Sequence, residues 1–160
     1  MAQATQVIEY GPYKVRYDFS FRIDGTNDPD LVYDSKGGPI ASVVRTSAGL
    51  FTVTLEAGCR LREITSGIGS VATTAATSPM YNVYVNPASL DAAARTFQVE
   101  VKASVVTAAL TALTLTEGAP NTLDTSTIVV TQTQAATDPA DNAIVSVYIV
   151  GPSSDNFIDG

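Results

Sequence analysis

Tyr13-Lys14-Val15-Arg16-Tyr17-Asp18-Phe19-Ser20-Phe21-Arg22-Ile23-Asp24 places an aromatic or β-branched residue at every odd position and a charged or hydroxyl residue at every even one. Strand side chains point alternately to opposite faces, whereas a helix would scatter those rings around its circumference. The stretch therefore predicts one long strand with a buried aromatic face and a wet, charged face. Such a stripe can also serve as a stacking platform for a sugar or a base, but at strand spacing its ordinary place is the core.

Working outward, Gly25-Thr26-Asn27-Asp28-Pro29-Asp30 and Ser35-Lys36-Gly37-Gly38-Pro39 supply dense turn chemistry around a short apolar piece, Leu31 to Tyr33. Ile40 to Thr46 is extended and β-branched, and Phe51, Val53 and Leu55 alternate with Thr52 and Thr54. Between them Ser47-Ala48-Gly49 predicts a hairpin loop with glycine at the left-handed position. Residues 56–80 show no clean period, and Gly67, Gly69 and the Ala/Thr/Ser run 72–78 suggest a loop crossing the domain. Tyr81, Val83 and Val85, then Phe97, Val99 and Val101, mark two further strands joined through a hairpin loop at 87–95. Thr127 to Thr133 predicts another strand. Ala143 to Val150, apolar on both parities, predicts a strand covered on both faces, in the centre of a sheet or in a subunit interface.

Roughly seven to nine short strands separated by turns indicate an all-β fold: an antiparallel β-sandwich or barrel-like domain with long loops, since two apolar sheet faces must cover each other. The expected layout is a single β-rich domain over 1–152 and a flexible C-terminal tail over 153–160. Twenty threonines support the strand reading. Only 16% of residues are charged, so the surface is built from Thr, Ser, Asn and Gln.

Nine basic residues against sixteen acidic ones give a net charge of -7. That argues against nucleic acid or an anionic membrane as partner, because their phosphates must be neutralised by Lys and Arg. Lys102 is the last basic residue, so the C-terminal third is purely acidic and is expected to face solvent or a basic partner. A single cysteine, Cys59, leaves the fold without an internal disulfide and suits assembly in a reducing cytosol. Met1 to Gln6 lacks the basic and apolar regions of a secretion signal. The apolar run from Val105 to Leu115 is interrupted by Thr107, Thr111 and Thr114 and falls short of the about 20 residues of a membrane helix.

The chain contains no histidine, which removes the commonest general base and the most frequent zinc ligand, and no enzyme activity is expected. Gly67-Ile68-Gly69-Ser70-Val71-Ala72 matches the spelling of a dinucleotide-binding turn, but Thr73, Thr74, Thr77, Ser78 and Pro79 follow where a helix must present its N-terminus. Asp24, Asp28, Asp30 and Asp34 offer oxygen ligands without the spacing of a calcium loop, and acidic residues in turns are favoured for their backbone hydrogen bonds alone. Cys59 has no resolving cysteine and reads as an inert thiol. No metal or cofactor is expected. The two apolar runs suggest a self-association surface, with Val105, Leu110 and Leu113 from one and Ile144, Val147 and Ile149 from the other.

Three segments resemble small β-rich virion proteins of tailed bacteriophages, of the capsid decoration, cement or head-fibre kind. They are Ile40-Ala41-Ser42-Val43-Val44-Arg45-Thr46-Ser47-Ala48-Gly49-Leu50-Phe51-Thr52-Val53-Thr54-Leu55, then residues 89–99 from Ser89 through Arg95 to Val99, and residues 138–150 from Asp138 through Asn142 to Val150. The resemblance implies a homotrimer on the outside of the phage head, made in the host cytoplasm, which clamps neighbouring major capsid proteins. It carries over no functional residue. The Thr-rich stretch 104–134 departs from the shorter members of that family. A tail or head-fibre component is the nearest alternative, and a sugar- or metal-binding adhesin using the Asp24 to Asp34 turn is a third.

Overall fold

A computed structural model describes residues 14–34, 38–59, 61–73, 79–110 and 128–152, with side chains for all of these except 106–110, 128 and 129. The described residues form nine strands: β1 (Lys14–Arg22), β2 (Asp30–Asp34), β3 (Ile40–Ser47), β4 (Leu50–Leu55), β5 (Ser66–Ala72), β6 (Met80–Asp91), β7 (Thr96–Leu110), β8 (Ile128–Ala136) and β9 (Ile144–Pro152). All pair antiparallel in one sheet of order β2-β1-β9-β5-β6-β7-β4-β3, with β8 paired to β7 outside that path.

The alternation that opens the chain sets the curl of this sheet. Val15, Tyr17, Phe19 and Phe21 are buried, while Arg16, Asp18 and Ser20 between them stay half-buried on the other face. Phe19 meets Phe97 of β7 edge-on at 6.2 Å between ring centroids, and Phe21 meets Phe51 of β4 at 5.1 Å. Three strands separate β1 from β7 in the sheet, so these contacts cross the interior and require the sheet to roll up. Rolling buries whole aromatic side chains from both halves in one cluster, each contributing about 1.5–3 kcal/mol of apolar burial. No buried polar or charged residue interrupts the cluster among the described residues.

The edge strands β2 and β3 approach each other without a backbone ladder between them. Carboxylates bridge the gap instead: Asp34 Oδ2 accepts the Ile40 amide at 3.1 Å, and Asp28 Oδ1 accepts the Arg45 amide at 2.9 Å. The result is a near-barrel whose seam is stitched by side chains. An all-β, antiparallel, barrel-like domain is what the alternation predicted.

Several elements differ from the sequence reading. The loop expected around Gly67, Gly69 and 72–78 contains strand β5, placed between β9 and β6. Its inward positions include Gly67 and Gly69, which erase the alternation because they have no side chain. A Cβ on Gly67 would lie 2.6 Å from the Val85 Cβ, and one on Gly69 would lie 2.5 Å from Val83 Cγ1 and 2.8 Å from the Ser146 carbonyl oxygen. Val83 and Val85 thus fill the space that the glycines leave. The segment 87–95 is mostly strand, since β6 runs on to Asp91 and the turn occupies only 92–95, with Arg95 at φ 57°. β9 lies in the centre of the sheet, between β1 and β5.

The expected hairpin is present as β3 and β4, with Gly49 at φ 67°. Phe97 is fully buried at the crossing of β1 and β7, so Phe97→Ala is expected to cost about 3–5 kcal/mol, measured as a lower urea midpoint at unchanged slope.

Candidate functional site

β7 is the longest strand, and its two ends belong to different structures. From Thr96 to Glu100 it is paired on both edges, to β6 and to β4. Beyond Val101 the edge used by β4 passes to β8, in register from Lys102↔Ala136 to Leu110↔Ile128. On the opposite edge β6 ends at the pair Met80↔Ser104. Among the described residues, therefore, β7 past Ser104 pairs with β8 alone, and the two form a two-stranded ribbon. Both of its faces meet solvent: Val105 is 47% and Val130 61% exposed, and every residue from 131 to 136 is exposed. The exposed side chains described on this ribbon are uncharged, with Val105 and Val130 beside Thr131, Gln132, Thr133 and Gln134.

The point where β4 yields to β8 is fixed by a compact set of contacts around Val101. The Val101 amide donates to the Gly49 carbonyl at 2.7 Å, and its carbonyl accepts the Thr137 amide at 3.1 Å. Gly49 donates its own amide to Asp138 Oδ1 at 2.9 Å, while Arg45 Nε and Nη2 donate to Asp138 Oδ2 at 3.0 and 2.6 Å. One carboxylate thereby ties the β3–β4 turn to the foot of the ribbon. A Cβ on Gly49 would strike the Thr137 amide nitrogen and the Val101 carbonyl oxygen, and the left-handed φ adds a cost of about 1–2 kcal/mol for any L side chain. Gly49→Ala is therefore expected to destabilise the fold by at least about 2 kcal/mol and to strip the Thr137 amide of its protection in hydrogen exchange.

Burial pushes the Asp138 carboxyl towards its neutral form. The hydrogen bonds from Arg45 and Gly49, together with the Arg45 charge, outweigh that push and hold it below the usual carboxylate range. A carboxyl whose folded-state pKa is depressed contributes stability above its unfolded value and loses it as pH falls through the folded one. Stability to urea should accordingly decline as pH is lowered through and below the ordinary carboxylate range. Asp138→Asn should be less stable at pH 7 and should flatten that decline.

A second feature lies on the outer face of β2, β1, β9 and β5. Tyr33, Ser20, Ser146 and Ser70 stand in one row across the four strands, with Asp18, Tyr148 and Ile68 in the next. They line a cleft of about 310 Å³. Ser20 and Ser146 hydrogen-bond each other at 2.9 Å, Asp18 is paired to Arg16 at 2.9 Å, and Arg16 lies 4.8 Å above the Tyr148 ring. Ser20, Ser146 and Asp18 on this floor are thus engaged in side-chain pairs.

The residues singled out in the sequence separate in space. Val105 is at the foot of the ribbon, and Leu110 is in its last described pair. Leu113 lies outside the described residues, as does the tail 153–160. Val147 and Ile149 are buried in the core and Ile144 is half-buried on the outer face, so β9 is apolar because it is central, and these residues form no common surface with Val105. Asp28 and Asp34 stitch the seam, Asp24 accepts from Asn27 within its turn, and no three potential metal ligands converge among the described residues. Cys59 packs half-buried against the core. Arg45 and Asp138 are 93 residues apart, and neither sits in a motif that would have paired them. No family model, no curated protein and no solved structure matches the chain.

Proposed function

We propose that the protein is a capsid decoration, or cement, protein of a tailed bacteriophage, which binds the outside of the head as an oligomer and stabilises contacts between major capsid proteins. The observation that supports this reading is the uncharged ribbon carried by a tightly packed barrel. Residues 104–110 and 128–136 include no charged side chain, in a chain of net charge -7. A surface of that kind serves association with protein, and the barrel supplies a rigid base for it. The resemblance of the β3–β4 hairpin, of residues 89–99 and of residues 138–150 to decoration proteins supplies the particular assembly. Repeated weak contacts on a symmetric shell sum to high avidity, and an acidic, Thr-rich exterior keeps a decorated particle soluble.

The test uses heads of the encoding phage, stripped of accessory proteins. Added protein should bind them saturably and raise the temperature at which they rupture. Heads that neither bind the protein nor gain heat resistance would sink the reading.

A further inference from the structure

The cleft on the outer face of β2, β1, β9 and β5 is a trough, and its shape follows from which residues the pleat turns outward. Along one row these are Tyr33, Ser20, Ser146 and Ser70, so three small hydroxyl side chains form a low floor with an aromatic ring standing at its β2 end. Along the next row Asp18, Tyr148 and Ile68 make the side wall. Phe19 and Val147 send their side chains into the core and contribute backbone to the floor. The wall is set in advance of any ligand. Arg16 lies over the Tyr148 ring at 4.8 Å and is itself paired to Asp18 at 2.9 Å, while the Ser20–Ser146 hydrogen bond at 2.9 Å spans β1 and β9. At opposite ends of the trough, Tyr33 and Ile68 are 54% and 51% exposed, so both ends present apolar surface to water.

We propose that this trough binds a neutral sugar, one or two hexopyranose rings lying along the serine row between Tyr33 and Ile68. The proposal rests on the cleft alone and not on the decoration reading, and the acidic turn over 24–30 lines no part of it. Three strand spacings of about 4.8 Å set Tyr33 and Ile68 roughly 14 Å apart across the sheet. The volume of about 310 Å³ stands at the small end of the about 300–1,000 Å³ of small-molecule sites. A sugar ring has a face of C–H bonds and a rim of hydroxyls, and the trough offers a partner to each. The Tyr33 ring and the Ile68 side chain take the apolar face, and the serines and Asp18 take the rim. The Ser20–Ser146 pair uses one proton, so one of its hydroxyls keeps a donor and both keep lone pairs, and the Asp18 carboxylate retains acceptor sites beyond the one facing Arg16. Other ligands fit worse. A wholly apolar molecule would strip water from the serine hydroxyls and from Asp18 without replacing their hydrogen bonds. An anion would meet Asp18 in a chain of net charge -7, and the carboxylate that a cation would need is already paired to Arg16.

The test titrates the full, isotope-labelled chain with the methyl glycosides of glucose, galactose, mannose and N-acetylglucosamine, and with a disaccharide of each, while amide resonances are followed. At least one sugar should saturate with a Kd of about 1 mM, moving the amides of Ser20, Ser70, Ser146 and Tyr148 and leaving those of Thr52 and Thr54 on β4 in place. Saturation by the methyl glycosides supports a site for a free sugar, and a tighter response to the disaccharides supports a site for a glycan chain. Tyr33→Ala removes the exposed end wall and Ser146→Leu fills the floor, and each should weaken binding about 10-fold or more with unchanged circular dichroism. Should Ser146→Leu fold poorly, Ser70→Val at the exposed end of the same row takes its place beside Tyr33→Ala. The uronic acid of whichever sugar binds should bind more weakly than its neutral parent at low salt. Silence from every sugar at about 50 mM overturns the proposal. So does a uronic acid that binds more tightly than its parent, or a pair of folded variants that bind as the wild type does.

Discussion

Phe19 and Phe21 of β1 can be shielded from water only if the sheet that contains them rolls far enough for β7 and β4 to lie across from β1. Much else follows from that requirement. Rolling brings β2 and β3 towards each other, the small inward residues of β5 let Val83 and Val85 sink against it, and β9 is enclosed between β1 and β5. A flat sheet of the same strands would leave one face of its aromatic stripe wet, at a cost of several kcal/mol. The sheet twist that strands adopt in any case makes such closure geometrically natural.

Closure is incomplete as a backbone ladder, and the chain compensates with side chains at both irregular places. Along the seam, Asp28 and Asp34 stand in for missing strand carbonyls by accepting the amides of Arg45 and Ile40. Where β4 gives way to β8, Asp138 does the same for Gly49 while pairing with Arg45. Short acidic side chains suit this work because a carboxylate accepts from two directions at once. Arg45 is engaged at both places, through its amide at the seam and its guanidinium at the ribbon, so the two irregularities are mechanically one region.

Legibility in the sequence followed the completeness of each pattern. β1 shows six apolar residues in strict alternation between Tyr13 and Asp24, and β3 and β4 flank a loop whose glycine holds the left-handed position, so both were readable. β5 was not, because an inward position occupied by glycine looks polar-neutral in a hydropathy pattern although it is a packing position. β9 was readable as covered but not by what; only its neighbours distinguish the centre of a sheet from an interface, and these place Val147 and Ile149 in the core. The ribbon was invisible for a different reason. Its existence depends on where neighbouring strands stop, Met80 against Ser104 and Leu50 against Glu100, and the end of a partner leaves no mark on the strand it abandons. The Arg45–Asp138 pair is likewise a product of topology, since residues 93 apart meet only after the sheet has rolled.

The double membership of β7 also has a mechanical meaning. A pull on the ribbon along its length enters the barrel through a strand that is bonded on both edges from Thr96 to Glu100. Ladder bonds lie across the strand, so that load falls on them in shear, many rungs sharing it at once, whereas a pull at right angles would part them one by one. The protein is thus strong in the direction in which its arm points and yielding across it, like a rivet whose shank continues into the plate.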